Sequence, residues 1–575
     1  MKSTMIIATL VLTTWGQASA ASPKIARELR DRDPNSTVDV IVQFNSAPTD
    51  KEHKKVSDKG GTRKADLDAA KGALYSLPAA AIQQLADDPD VAYISADRAV
   101  RANSYEYAPP AVNGDIAWKY GWDGKGVGVA IIDSGIDATN FDLQSGKTSR
   151  VVYAQSFVPG DTSTGDKYGH GTHVAGLIGG NGTSSTGMIF TSTIKGLAPA
   201  VNLINLRVLD GNGQGTDSAV IAALQRAIAL KKTYNIRVIN LSLGRPVYES
   251  YTTDPLCQAV EAAWKAGIVV VVAAGNEGRN NTFATNGYGM IASPGNDPYA
   301  ITVGAMRTMG TIARTDDMIT SYSSKGPTMI DHVVKPDLVA PGNRVGSLLA
   351  NFGLFFSTYP SNAIPVSDYV KTSFVLNSPS YYKLSGTSMA TAVVSGAAAL
   401  LLQKDSSLSP DTVKARLMKT ATKSFPATST ATDPVTGQVF SSQYDLLTIG
   451  AGYLDVWAAL NNTDSAAKAA MSPAVRYDAK SGNVYLVFGS TAVWGSTAVW
   501  GSTAVWGSTA VWGSTAVWGS TAVWGSKAST GFTAVWGDTA VWGSSTSANN
   551  GTSSLNAATA ISSPEAMNIA IYGDK

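Results

Sequence analysis

Ile268-Val269-Val270-Val271-Val272-Ala273-Ala274 decides the architecture. The run holds four consecutive valines and no polar alternation, so neither face of the strand it forms is built to meet water. It falls far short of the ~18–20 residues needed to cross a bilayer, and it therefore reads as a buried strand. Working outward, Val127–Ile132, Val201–Val208, Val238–Leu243 and Ala300–Val303 have the same character. Helical patterns lie between them at His170–Ile178, Asp217–Lys232 and Pro255–Ala266. Two more follow at Ser388–Gln403 and Pro410–Thr422, the last with Ser409 as N-cap and proline in its first turn. Apolar strands alternating with helices predict an α/β unit over about 104–460, a parallel sheet flanked by helices on both faces.

Composition narrows the chemistry. Of 575 residues 44% are hydrophobic, enough for a large core and against wholesale disorder. Lysine plus arginine (45) nearly balances aspartate plus glutamate (43), so no electrostatic argument favours nucleic acid as a partner. The single cysteine, Cys257, excludes an intramolecular disulfide or a multi-cysteine zinc site, and its helical setting reads as core. Histidine chemistry must use His53, His170, His173 or His332.

Three stretches inside the α/β unit carry reactive groups. Ile131-Ile132-Asp133-Ser134-Gly135 ends a buried strand in an acid. His170-Gly171-Thr172-His173 opens a helix of small residues with a histidine, and Ser385-Gly386-Thr387-Ser388-Met389-Ala390 opens another with a serine. Acyl transfer needs such a set: a hydroxyl is a poor nucleophile until a base takes its proton, and the imidazole needs an acid to fix its tautomer. Singly, each residue reads as well as a cap or turn residue.

Together and in this order they resemble the subtilisin-like serine endopeptidases, whose motifs run Asp, His, Ser. Further landmarks of that family follow in sequence: Leu241-Ser242-Leu243-Gly244, Ala273-Ala274-Gly275-Asn276-Glu277-Gly278, Ser323-Ser324-Lys325-Gly326-Pro327 and Lys335-Pro336-Asp337-Leu338-Val339-Ala340-Pro341-Gly342. The resemblance spans about 60% of the chain. It implies Ser388 as nucleophile, His170 as general base, Asp133 as its orienting acid and Asn276 as oxyanion donor. Ser242, Leu243 and Gly244, with the glycine-rich loop 210–215 that contains Gly213, would flank an extended polypeptide substrate. Ala274 and Gly275 would line the primary pocket. No cofactor is required for this chemistry. Structural calcium is common in the family, but no site is assignable from the sequence. Two other classes compete: a subtilisin-like scaffold with a silent site, and the carboxyl serine peptidases, against which His170 argues.

The family pattern is not kept everywhere. Ala392-Val393 replaces the usual proline–histidine pair after the nucleophile, and Asn181–Lys195 is longer than the plain family loop. His173 lacks a second ligand motif and reads as a structural hydrogen bonder. His53 and His332 are expected to be solvated, and the tyrosine-rich 343–384 is expected as a surface loop.

The flanks have their own signatures. Residues 1–20 carry one early lysine, a short apolar run and Ala18-Ser19-Ala20, the features of a secretory signal peptide, so the protein is expected to be secreted. In 21–103 roughly a third of the residues are charged. A strand at Val38–Phe44, a helix over Lys51–Lys71, a helix at Ala79–Ala86 and a strand at Val91–Ile94 predict a small α+β unit. It resembles the family's inhibitory propeptide, removed by self-cleavage. Beyond a linker at 461–488, the hexad Gly-Ser-Thr-Ala-Val-Trp repeats through 489–543. Such a tryptophan-rich segment reads either as a surface for a cell envelope, a glycan or another copy, or as low-complexity sequence lost on maturation. Residues 544–575 read as a tail without pattern.

Overall fold

The computed structural model describes residues 22–26, 29–30, 32–97, 105–281, 285–371, 376–478, 483–487, 557–559 and 564–575. The expected signal peptide, the hexads and residues 100–104 of the stretch expected to hold the propeptide cut, about 100–108, lie outside them. The chain divides into two compact units, Met1–Ala102 and Asn103–Lys575.

The first unit is a four-stranded antiparallel sheet, with strands in the order Thr62–Leu67, Gly72–Pro78, Thr37–Phe44, Val91–Ala96. It has its own core, in which Val40, Val42, Tyr75, Leu77, Leu85 and Ile94 are buried. The expected long helix over 51–71 is only Asp50–Ser57. Gly60 then turns the chain at φ +83°, Thr62–Leu67 form a strand, and Asp68–Ala70 make a single 3-10 turn. His53 is not solvated, because its Nδ1 meets Tyr75 Oη at 2.6 Å over the sheet.

The second unit is built on an eight-stranded sheet. Its order is Met318–Ile319, Ile301–Arg307, Val269–Ala273, Ile236–Leu241, Gly128–Asp133, Asn202–Arg207 and Val151–Ser156, with Leu338–Pro341 also paired to Ile301–Arg307. Every pairing is parallel except that of the short edge strand Met318–Ile319. The valine strand sits inside this sheet with all five residues buried, as its lack of alternation requires. Helix Thr387–Lys404 packs along the strands and is buried over nearly its whole length, which is why its sequence is small and apolar residues with no charge before Lys404.

Three expectations need correction. The tyrosine-rich 343–384 is no surface loop. It forms a three-stranded sheet of Val345–Leu348, Asn377–Leu384 and Ala363–Pro365, and Tyr381 and Tyr382 are buried in the main core. Segment 461–488 is not a bare linker. Ser472 is buried, with Oγ donating to Asp337 Oδ1 at 2.5 Å and accepting from Lys414 Nζ at 2.9 Å, and Ala474–Asp478 pairs with Asn483–Val487. The end of the chain is not patternless either: Pro564–Tyr572 is a helix whose Ile569, Ala570 and Ile571 join the main core.

Candidate active site

Asp133 ends the central strand Gly128–Asp133, at the carboxyl edge where an open parallel sheet gathers its reactive groups. Its Oδ1 lies 2.8 Å from His170 Nδ1 and also accepts from Ser134 N at 2.7 Å. Both side chains are buried, so their attraction is poorly screened. Burial pushes the His170 pKa down, but the Asp133 charge and hydrogen bond push it up and prevail, leaving it above the ordinary 6.5.

The histidine helix is seated by a residue the sequence reading missed. Buried Asp166 accepts from Gly169 N (2.7 Å) and Thr172 N (2.7 Å), satisfying orphan donors of the first turn, and from Ser134 Oγ (2.9 Å). Ser134 Oγ in turn accepts from Gly171 N at 2.9 Å, so one carboxylate ties the acid loop to the base helix. Gly171 has to be glycine: a Cβ there would lie 2.2 Å from Gly135 O. A capping acid four residues before the helical histidine was legible in principle, but nothing local says that it folds inward.

Ser388 opens the helix Thr387–Lys404 after Gly386, whose φ of +147° suits only glycine. Its Oγ donates to Ser242 O at 3.1 Å, and Ser242 Oγ donates back to Ser388 O at 2.9 Å. Ser242 thus ties the end of strand Ile236–Leu241 to the helix that carries Ser388. His170 Nε2 is buried with no partner among the described residues, so the acceptor that would take a serine proton is free. Catalytic hydrogen bonds commonly close only when substrate arrives.

Asn276 is oriented by Thr387. Its Oδ1 accepts from Thr387 N at 2.9 Å and from Thr387 Oγ1 at 3.1 Å. With Oδ1 held, Nδ2 faces the loop before the nucleophile, 3.3 Å from where a Cβ on Gly386 would lie. The side-chain N–H groups and the helix N-terminus at Ser388 therefore point to one place, a geometry that stabilises a developing anion.

The flanking residues expected to meet substrate have close packing partners of their own. Gly213, at φ +76°, lies flat on the Tyr168 ring, where a Cβ would come within 2.5 Å of Cζ. Tyr168 packs in turn on Phe355, with ring centroids 4.6 Å apart. Ala274 and Leu243 are buried. Ala292 was not foreseen: Cβ atoms placed on Gly244 and Gly275 would stand 3.0 and 3.3 Å from its methyl group, so it lies between the two glycine walls.

The other histidines do different work. His173 Nε2 contacts Val345 O (3.0 Å) and Tyr382 O (3.2 Å), a structural role as expected. Burial and the neighbouring His170 push its pKa down to about 3. His332 is half-buried rather than solvated, and burial lowers its pKa to about 4. Cys257 is buried, with Sγ 3.3 Å from Asn296 Oδ1, and burial pushes its thiol far up, as befits an inert core residue.

The residues around the long 181–195 segment do not fit a calcium ion. Asp142 accepts from Ser184 N (2.6 Å) and Tyr381 Oη (2.7 Å), while the carbonyls of Asp142, Gly179 and Val201 are taken by the buried Arg150 guanidinium. Among the described residues no group of three or more His, Cys, Asp or Glu is placed to hold a metal. Among them, too, no helix is long and apolar enough to cross a membrane.

A mostly parallel sheet presenting acid, base and helix-borne serine along one edge defines a serine hydrolase. The model of the subtilase family matches residues 124–438, more than half of the chain, and the chain belongs to that family of serine endopeptidases. It is similar to serine protease AprX of Bacillus subtilis, 38% identical over 304 residues, which is 52% of this chain and 62% of AprX. It is 37% identical to subtilisin DY of Bacillus licheniformis over 322 residues, 56% of this chain and 93% of the relative. Subtilisin E of Bacillus subtilis is 33% identical over 370 residues, 64% of this chain and 80% of its own length.

Proposed function

We propose that this chain is a secreted serine endopeptidase, made as a precursor that processes itself, and that it cleaves polypeptides through an acyl-enzyme on Ser388. The observation that carries the reading is the buried 2.8 Å contact between Asp133 and His170 with Nε2 left free. Asp133 holds Nδ1 as the proton-bearing nitrogen, so Nε2 is the one with a lone pair for the serine proton. Ser388 Oγ leaves Ser242 O, gives its proton to Nε2 and attacks the scissile carbonyl. The resulting oxyanion is met by Asn276 Nδ2 and the Ser388 N–H. Charged His170, stabilised by Asp133, then protonates the leaving amine. Water deacylates the enzyme by the same route in reverse.

Loss of Asn276 is expected to cost about 10²–10³ in turnover, the figure known for the oxyanion asparagine of subtilisin itself. Ser242, Leu243, Gly244 and the loop with Gly213 are the backbone rails on which an extended substrate pairs, and Ala274 and Gly275 wall the primary pocket. Residues 1–20 are the export signal. Residues 21–103 are the inhibitory propeptide, a reading supported by their separate core and their place before the peptidase unit.

Intact mass after fluorophosphonate treatment, run beside Ser388→Ala, tests this reading. The expected result is one adduct on a chain beginning near residue 104 and an unprocessed, unlabelled mutant. A wild type that stays unlabelled after its propeptide has been removed refutes it.

A further inference from the structure

The reaction leaves the end of the chain unused, yet the fold does not. Ala557–Thr559 forms an antiparallel strand on Gln214–Thr216, with Ala558 opposite Gly215. That edge continues the glycine-rich loop assigned above to substrate. With four residues between, helix Pro564–Tyr572 follows the strand, and it ends beside the loop that precedes Ser388. Ser385 N donates to Ala570 O at 2.8 Å, and Asn362 Nδ2 donates to Ile571 O at 2.7 Å. Asp574 is fully buried and accepts from Arg279 Nη2 (2.7 Å), Ser321 N (2.6 Å) and Ser321 Oγ (2.8 Å). Its own N–H donates to Asn343 Oδ1 at 2.8 Å. The anchor is thus built on the segments next to Asn276 and Ser388.

We propose that the C-terminal segment is an intramolecular ligand of the substrate cleft: strand Ala557–Thr559 occupies the edge Gln214–Thr216 as a substrate backbone would, and the helix with Asp574 keeps it there. This rests on the endopeptidase reading above. A three-residue pairing is weak by itself. A short connection to an anchored helix gives it an effective concentration on the order of millimolar, enough to compete with extended substrates. The anchor is non-covalent, so cleavage within the hexads leaves the occupant in place.

The test compares matured wild-type enzyme with Ala558→Pro and with the double variant Ala557→Pro/Thr559→Pro. Proline removes a backbone donor, and donors in an antiparallel strand alternate in facing the partner, so one of the two variants must break the pairing while both spare the anchor. KM and kcat are measured on an extended peptide with sites counted by fluorophosphonate, and hydrogen exchange is followed at residues 210–216. The expected result is a KM about tenfold lower in one variant at unchanged kcat, with faster exchange at 214–216. Adduct formation with KM unchanged in both variants overturns the proposal alone. Loss of 557–575 from the matured enzyme, read by intact mass, also overturns it. If no protein forms an adduct, the endopeptidase reading fails and this proposal falls with it.

Discussion

Asp574→Ala removes a carboxylate whose partners are all buried. Arg279 would keep Asp433, 3.0 Å from its Nη1, as its one ion-pair partner and Ser321 Oγ, 2.8 Å from its Nε, while the Ser321 N–H and hydroxyl would lose their acceptor. Breaking one side of a buried ion pair costs about 3–5 kcal/mol, because the surviving charge stays desolvated. The Ser321 donors belong within that figure, since water can enter the vacated volume and partly satisfy them. At about 1.4 kcal/mol per factor of ten, helix Pro564–Tyr572 should open about a hundredfold to several thousandfold more often. Hydrogen exchange reads that opening directly, amide by amide, in a Ser388→Ala background that cannot digest itself. Asp574→Asn should fall between, because one oxygen acceptor remains while the charge is lost. A change of less than about tenfold in helix protection would show that the carboxylate does not hold the segment, and the reasoning from burial would be wrong.

Other tests probe the site and its supports. Asp133 holds the His170 pKa above 6.5 against the effect of burial, and the base must be neutral, so kcat/KM should rise with pH through a midpoint above 6.5; a lower midpoint in a pH–rate profile contradicts the pairing. His173 is held neutral down to about 3 while the unfolded chain takes up a proton near its ordinary 6.5, so stability is full above 6.5 and drains away between 6.5 and 3. In the Ser388→Ala protein, His173→Gln should flatten that decline in urea midpoint, and an unchanged slope would place the acid sensitivity elsewhere. Ala292→Leu fills the space between Gly244 and Gly275, so the preference for a large over a small apolar residue before the scissile bond should fall by about 10–100-fold in kcat/KM. Equal losses on both substrates would remove Ala292 from the pocket.

The strands at 128–133, 202–207, 236–241, 269–273 and 301–307 were legible because each is short, rich in Val, Ile and Leu without strict alternation, and followed by a helix or turn signal. The acid, the base and the serine were legible because each sits in a stretch whose glycines answer a local steric demand, as Gly171 and Gly386 do. Asn276 could be named from its motif, although only Thr387 shows which way its amide is turned. The buried tyrosines of 343–384 looked like loop residues because their partners, such as Asp142 for Tyr381, lie 239 residues away. The C-terminal helix was hidden for the same reason: a run poor in periodicity gains its stability from Arg279, 295 residues earlier, and not from its own pattern. Sequence by itself determined the sheet, the reactive groups and their order, because backbone propensity and side-chain chemistry are local properties. Tertiary structure alone decided which buried carboxylate meets which donor and that strand Ala557–Thr559 pairs with Gln214–Thr216, because the energy of a buried polar pair exists only once folding has excluded water from it.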